Sequence, residues 1–192
     1  MQSLRWRHPW LVCCAALLCA AALADARAKD ERRFEVRNAY VELQDDAWLL
    51  EVRLDLALGK AAQQAFNEGV PLVLMLEAEA TVERRFIPDE AVVSLTRRWQ
   101  IAHDAISERY VVTDLANDEQ VSHASQEEAL EALSRISAIA VAGTDRLPPD
   151  ARFDMRVRAT VEIGELPAAI KMLLFWKSWS RSTDWYAWSV RP

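Results

Sequence analysis

The chain has 192 residues, of which 52% are hydrophobic and 27% are charged, and its formal net charge is −6. This length and apolar content suffice for one domain with a sizeable core. The negative charge argues against nucleic acid and against an anionic membrane surface as partners, because binding to phosphates requires a basic footprint.

Residues 1–28 are predicted to be a secretory signal peptide that is cleaved after Ala28. Arg5 and Arg7 precede an apolar run from Trp10 to Leu23, and small residues follow the run, which is the order found in signal peptides. About 14 apolar residues fall short of the roughly 20 that a membrane-spanning helix requires, so cleavage is favoured over anchoring. We therefore expect residues 29–192 to form a single α+β domain in the periplasm.

The predicted cleavage removes every cysteine, because Cys13, Cys14 and Cys19 all lie in the apolar run. The mature chain is then expected to contain no disulfide, no thiol nucleophile and no cysteine metal ligand. Removal of three of the 23 basic and one of the 29 acidic residues leaves 20 against 28, a net charge of −8.

The mature chain is predicted to begin with a β-hairpin over residues 34–56, with Gln44-Asp45-Asp46 at its tip. In its second strand, apolar residues at every second position form one face. A short helix is predicted over Lys60–Glu68, because Gly69 and Pro71 supply the usual end signals of a helix.

A long strand is predicted from Leu72 to Val82, with aliphatic residues on one face and acidic residues on the other. Two further strands are expected over Val92–Ile101 and Glu108–Leu115, and a weaker one over Gln120–Ala124. Alternation of polar and apolar residues at period 2 is the basis of each of these predictions.

The clearest helix start is at Ser125, because Ser125 and Glu128 have the spacing of a capping box. Leu130, Leu133 and Ile136 supply its predicted core-facing stripe. A strand over residues 153–163, a third helix over Pro167–Trp176 and a last strand over Trp185–Val190 complete the predicted elements.

This order of elements predicts an α+β fold, with a twisted, largely antiparallel sheet of about seven strands and two or three helices on one face. A two-sheet β-sandwich with helical insertions is the alternative.

Few residues suggest catalysis or metal binding. His103 and His123 are the histidines outside the predicted leader, and no metalloprotease, nucleophile-elbow or phosphate-loop motif is present. His103-Asp104 lies in a polar loop, where such a pair is usually solvated. We therefore expect no cofactor, no metal ion and no catalytic residue.

Glu77, Glu79 and Glu83 lie on one face of the long predicted strand. A calcium site would require a tight glycine-containing turn, and acid–base catalysis would require a desolvated carboxyl group. We favour a solvated face on which these glutamates pair with arginines of neighbouring strands. The candidate arginines are Arg53, Arg97, Arg156 and Arg158.

The C-terminal aromatics are the candidate partner surface. They are Trp176, Trp179, Trp185, Tyr186 and Trp188. In an extended segment, Trp185 points away from Tyr186 and Trp188, so these rings do not form one flat platform. Closure of the core is the favoured interpretation, and an exposed patch that docks a partner is the alternative.

Two motifs carry a resemblance to a known family: Gly69-Val70-Pro71-Leu72 after a short helix, and the ending that contains Trp179, Trp185 and Trp188. The chain resembles a family of uncharacterised exported proteins of proteobacteria, known as a domain of unknown function. The resemblance implies no catalytic residue. It also implies a gene position beside a membrane sensor kinase of the nitrogen-regulation type, whose extracytoplasmic part becomes the candidate partner.

The leading functional hypothesis is a non-enzymatic periplasmic protein that binds another protein, as an accessory module in envelope signalling. A binder of small ligands or glycans, using a cleft between the third helix and the sheet, is the second hypothesis. A hydrolase with a site around His103 or around Glu77 and Glu79 is the third.

Expression of the full chain in a secreting bacterium is expected to yield a product that begins at Lys29, because signal cleavage follows a small residue. Intact-mass spectrometry of the purified protein measures this. Ala28→Phe is expected to block processing and Ala28→Gly to preserve it. A wild-type product that retains residues 1–28 would contradict the prediction.

Overall fold

A computed structural model describes residues 34–82, 91–164 and 180–191. Ten β-strands and two α-helices lie in these ranges, and strands account for 63% of the described residues. The predicted α+β class with a largely antiparallel sheet is confirmed, with two described helices where two or three were expected. The third predicted helix, Pro167–Trp176, lies outside the described residues.

The elements form two antiparallel sheets. In chain order they are β1 (Phe34–Gln44), β2 (Ala47–Leu56), α1 (Lys60–Asn67), β3 (Leu72–Val82), β4 (Ala91–Asp104), β5 (Arg109–Asp114), β6 (Glu119–His123), α2 (Gln126–Ser134), β7 (Arg135–Gly143), β8 (Phe153–Ile163), β9 (Ser180–Ser182) and β10 (Tyr186–Val190). The small sheet has the order β1-β2-β7. The large sheet has the order β10-β8-β3-β4-β5-β6, and β9 also pairs with β8.

The large sheet has seven strands, the approximate number expected, but it includes the short β9 and excludes the β1–β2 hairpin. The separate small sheet belongs to the two-sheet alternative rather than to the single-sheet prediction. The short strand β9 was not predicted, and β4 continues three residues beyond the predicted end at Ile101.

The segment after α2 is a strand, so the prediction that Ile136 belongs to a helical stripe is wrong. The start of α2 is as predicted, because Ser125 Oγ accepts a hydrogen bond from the Glu128 N–H at 3.1 Å. The helix ends where β7 begins, and Ile136 then lies opposite Val52 of β2. This cross-strand pairing buries Ile136, and tertiary packing of this kind outweighs local helix spacing.

Left-handed residues shape two turns that the sequence predicted. Asp45 and Asp46 have φ of 48° and 65°, as a two-residue type I′ turn requires, and they join β1 to β2. Gly69 has φ of 83° and follows α1, which ends at Asn67. Both turns lie where the sequence placed them.

The inner faces of the two sheets share one hydrophobic core. β3 lies in the middle of the large sheet and pairs with β4 and β8 along its length. Its inner side chains are buried as predicted. They are Leu72, Leu74, Leu76, Ala78 and Ala80. Leu50 and Val52 of β2 share a core with the first four of these, and Ala80 belongs to a neighbouring cluster with Trp48 and Phe153.

Trp48 joins the small sheet to the segment between β7 and β8. Its indole N–H donates a hydrogen bond to the Leu147 carbonyl oxygen at 2.8 Å, and its ring meets Phe153 edge-on at 5.2 Å between centroids. All three residues are buried. Since a buried indole N–H needs a partner, this contact anchors the connection.

Gly69→Ala is expected to lower the free energy of unfolding by about 1–2 kcal/mol, because a left-handed residue with a Cβ is strained. A Cβ at this position would meet no atom within 4 Å, so the loss arises from the backbone alone. Urea denaturation measures it. Gly69→Asn is the control and is expected to lose less; an unchanged Gly69→Ala variant would refute the assignment of strain.

Candidate binding cleft

The described C-terminal aromatics lie on two sides of the large sheet. Tyr186 and Trp188 of β10 are half-buried and pack against the core, with their ring centroids 5.8 Å apart. Trp185 lies on the outer face of the sheet beside two arginines of β8. Trp176 and Trp179 lie outside the described residues. The split agrees with the expected alternation, and partner binding by these aromatics stays a prediction.

The outer face of the large sheet carries a row of paired charges. The guanidinium carbons of Arg156 and Arg158 lie 4.7 and 4.6 Å from the Trp185 ring centroid. Arg158 pairs with Glu77 at 2.7 Å, and Arg156 pairs with Glu79. Each arginine therefore contacts both the indole and one carboxylate. The predicted cross-strand pairing is confirmed for Glu77 and Glu79, and Glu83 lies outside the described residues.

Two of the arginines expected on this outer face lie elsewhere. Arg97 of β4 is opposite Leu76 of β3 and so shares the inner face with it, where it pairs with Asp114 at 2.7 Å. Arg53 belongs to β2 in the small sheet. The prediction that these two arginines pair with the glutamates of β3 is therefore wrong.

The His103-Asp104 pair ends β4, where Asp104 stabilises a turn. Asp104 Oδ1 accepts hydrogen bonds from the backbone N–H groups of Ile106 at 2.8 Å and Ser107 at 3.3 Å. These backbone hydrogen bonds lower the pKa of the Asp104 carboxyl group. The ring of His103 lies 4.9 Å from that of Tyr110. Because the carboxylate contacts the turn, this geometry gives no support to the hydrolase hypothesis.

A cleft of about 560 Å³ opens between the two sheets at the end where β6 and β7 lie. The residues of the large sheet that line it are Leu95, Arg97, Trp99, Val112, Asp114, Glu119, Val121 and His123; α2 and β7 contribute Ala132, Leu133 and residues 135–140. It exists because the small sheet has three strands and the large sheet has seven, so the inner face of β4, β5 and β6 extends beyond the small sheet.

The floor of the cleft contains two buried side-chain nitrogens without partners. Arg97 Nε and His123 Nε2 have no hydrogen-bond partner in the described part of the chain. Arg97 uses its terminal nitrogen to contact Asp114. Buried polar atoms are normally hydrogen-bonded, and an unsatisfied one costs about 1–3 kcal/mol. The floor therefore suits a ligand that supplies oxygen acceptors.

Part of the cleft lining is apolar, and charged and polar side chains make up the rest. Leu95, Trp99 and Val112 are half-buried or buried members of the large sheet, and Ile136 and Ile139 are buried on the β7 side. Val121 of β6 is 50% exposed although it occupies an inward-facing position opposite Val112. The cleft therefore combines apolar side chains, which favour burial of a ligand, with several charged ones.

Two strand edges border the cleft, because β6 ends the large sheet and β7 ends the small sheet. Helix α2 connects the two strands, and Ala132 and Leu133 belong to the lining. β6 pairs regularly with β5 over all five residues. β7 is irregular, since its register with β2 shifts twice and Ala138 has φ of 55°.

A second cavity, of about 750 Å³, lies between α2 and β2. Three arginines line it, namely Arg37, Arg53 and Arg135. Arg37 pairs with Asp55 at 2.6 Å, and Arg135 pairs with Glu131. Neither of the buried unpartnered nitrogens lies in its lining, so the cleft between the sheets is the stronger candidate.

Residues 31–189 match the family described as Domain of unknown function (DUF4390). The chain belongs to this family. No curated protein and no solved structure matches it. In the ranges that the structure describes, no helix is long and apolar enough to cross a membrane, and no group of three His, Cys, Asp or Glu side chains is placed to hold a metal ion.

The sequence analysis did not predict the cleft of this DUF4390 domain, although two residues of the sequence indicate it. Arg97 interrupts an inward-facing row between Leu95 and Trp99. A charged residue at a core-facing position of a strand requires a partner or a water-filled space. His123 gives a weaker signal of the same kind, two residues after Val121.

Trp188→Ala is expected to lower the free energy of unfolding of the DUF4390 domain by on the order of 2 kcal/mol. This loss is smaller than that for a fully buried tryptophan, because Trp188 is half-buried. Trp185→Ala is expected to cost about 1 kcal/mol, because its ring gains from two stacked guanidinium groups at a half-exposed site. Urea denaturation compares the two. The matched Phe variants keep a ring and should lose less; equal losses for both Ala variants would refute the assignment.

Proposed function

We propose that the chain is an exported, non-enzymatic binding protein whose partner is another polypeptide and whose binding site is the cleft between β6 and β7. One observation carries the proposal: two strand edges border a single cleft, and two of its lining residues, Arg97 and His123, each have a buried nitrogen without a hydrogen-bond partner among the described residues. A polypeptide supplies both backbone groups for an edge and oxygen acceptors for the floor.

The proposed location is the periplasm. Its support is the order of the N-terminal 28 residues, with arginines, then a short apolar run, then small residues. The resemblance to exported proteins encoded beside a sensor kinase suggests where to look for the partner. We infer that the extracytoplasmic part of such a kinase is the first partner to test.

Binding of a small apolar ligand is the second candidate function. A cleft of about 560 Å³ lies within the usual range for small-molecule sites, about 300–1,000 Å³. The cleft that the sequence suggested for this purpose adjoins the third predicted helix, which lies outside the described residues. The regular edge of β6 favours the polypeptide, because a small ligand leaves most of its backbone groups unpaired.

Site-specific photo-cross-linking in cells tests the proposal. A photoreactive amino acid at Val121 is expected to form an adduct with one envelope protein, because this side chain lies in the cleft and is half-exposed. The same amino acid at Ile106 is the control, since Ile106 is 97% exposed and lies in the turn after β4, away from the cleft lining. Mass spectrometry identifies the adduct.

An adduct at Val121 with the periplasmic part of a sensor kinase would support both the binding role and the signalling partner. Equal adducts at Val121 and Ile106 would indicate contact without a site. The absence of any protein adduct at Val121 would contradict the proposal and favour the small ligand.

A further inference from the structure

We propose that the partner binds as an extended strand that pairs with β6 and becomes the next strand of the large sheet, with its alternate side chains directed into the cleft. This inference rests on the proposed function and specifies its binding mode. The ligand class is a polypeptide segment with apolar residues at every second position and an acidic residue among them.

The regular edge of β6 is the first step of the argument. Its five residues pair with β5 without a register shift, so the backbone groups on its other side keep the spacing that a further antiparallel strand requires. No described strand pairs with this side of β6, and such a regular edge is a template for strand addition. Val121 at the centre of β6 adds exposed apolar surface.

β10, at the other end of the large sheet, is also regular but contributes no residue to the cleft, and the two edges of the small sheet are irregular. β7 carries two irregularities, and Ala138 is left-handed at one of them, as in bulges that prevent edge pairing. At the opposite end of the two sheets, β1 lies against β8 and β10, and its own pairing with β2 shifts at Arg37. The cleft therefore opens where the regular edge lies.

The side chains of an added strand have a defined environment. On the inner face of β6, Glu119, Val121 and His123 line the cleft, and residues of an added strand would lie beside them. Ile136 and Ile139 of β7 form the opposite apolar wall. An apolar residue beside Val121 would be enclosed between the two sheets.

The acidic residue follows from the unpaired nitrogens. Arg97 Nε and His123 Nε2 are the buried groups without hydrogen-bond partners in the described ranges. Arg97 Nε carries a hydrogen and needs an acceptor, and His123 Nε2 needs one in the tautomer that places the hydrogen on it. A carboxylate supplies such an acceptor, and its hydrogen bond to the guanidinium group is charge-assisted. His123 belongs to the edge strand itself, so an acidic side chain on the neighbouring strand reaches it first.

The test uses a library of capped nine-residue peptides with valine at every second position and one of those valines replaced by aspartate, long enough to span an average strand. The full-length processed protein is titrated with each fluorescently labelled peptide, and anisotropy measures Kd. Peptides with aspartate placed beside His123 are expected to bind at least tenfold more tightly than the matched all-valine peptide.

Backbone pairing is tested with a peptide whose alternate amide nitrogens are methylated, which removes the donors that face β6. Its affinity is expected to fall at least tenfold. Hydrogen exchange followed by NMR is expected to show at least tenfold slower exchange, on peptide binding, for the amides of Glu119–His123 that do not bond to β5.

Two variants at the edge complete the design. Val121→Lys is expected to weaken peptide binding at least tenfold, because it places a charge in the apolar mouth of the cleft. Val121→Thr is the matched control, since it keeps the shape and the strand preference, and it is expected to stay within about threefold. Both changes are at a half-exposed site, and circular dichroism verifies the fold.

The outcomes separate this inference from the proposed function. Equal binding of methylated and unmethylated peptides, or unchanged exchange in β6, would refute strand addition while leaving the cleft as a binding site. Failure of every peptide to bind, with the cross-link at Val121 still formed, would refute the extended mode alone. Loss of the cross-link itself would contradict the proposed function.

Discussion

The packing of the small sheet on the middle of the large sheet is the contact on which the rest of the structure depends. β3 pairs on both sides along its length, so a slip in its register would turn its aliphatic row towards water. Leu50 and Val52 of β2 share a core with that row. In the described ranges the small sheet has three strands and the large sheet has seven, so the small sheet does not cover the whole inner face of the large one. The inner face of β4, β5 and β6 is lined by the helices and by the cleft.

The outer face of the large sheet is stabilised by ion pairs and by contacts between arginines and an indole ring. β8 places Arg156 and Arg158 between the carboxylates of β3 and the ring of Trp185, so the charges and the indole stabilise one another at a partly buried site. The described C-terminal aromatic residues therefore have two roles. Tyr186 and Trp188 of β10 extend the core, whereas Trp185, just before β10, contacts the two arginines. Among the described aromatics, this geometry favours closure of the fold over a flat docking surface.

Local sequence patterns predicted much of this fold because each pattern involves residues that are close together in the chain. The alternation in β3, the capping box at Ser125 and the left-handed Gly69 each depend on neighbouring residues alone. β7 was missed because its first residues continue a helical stripe, and only pairing with β2 makes Ile136 a strand residue. The cleft was missed for a related reason: the difference in width between two sheets is a property of their pairing, although Arg97 between Leu95 and Trp99 marks its floor.

The difference in width between the two sheets also relates the proposed binding of a partner to the stability of the folded protein. Among the described residues, Arg97 Nε and His123 Nε2 lack hydrogen-bond partners, and each such buried group reduces the stability that the core provides. A further strand of the small sheet, paired with β7, could supply the missing hydrogen-bond partners. However, β7 is irregular and contains the left-handed Ala138, so it is a poor template for such a strand. A partner of the kind proposed would compensate from outside the two sheets, because a ligand that binds only the folded state stabilises it by an amount that grows with the logarithm of its concentration over Kd. The irregular β7 and the regular β6 would then together determine which edge such a partner uses.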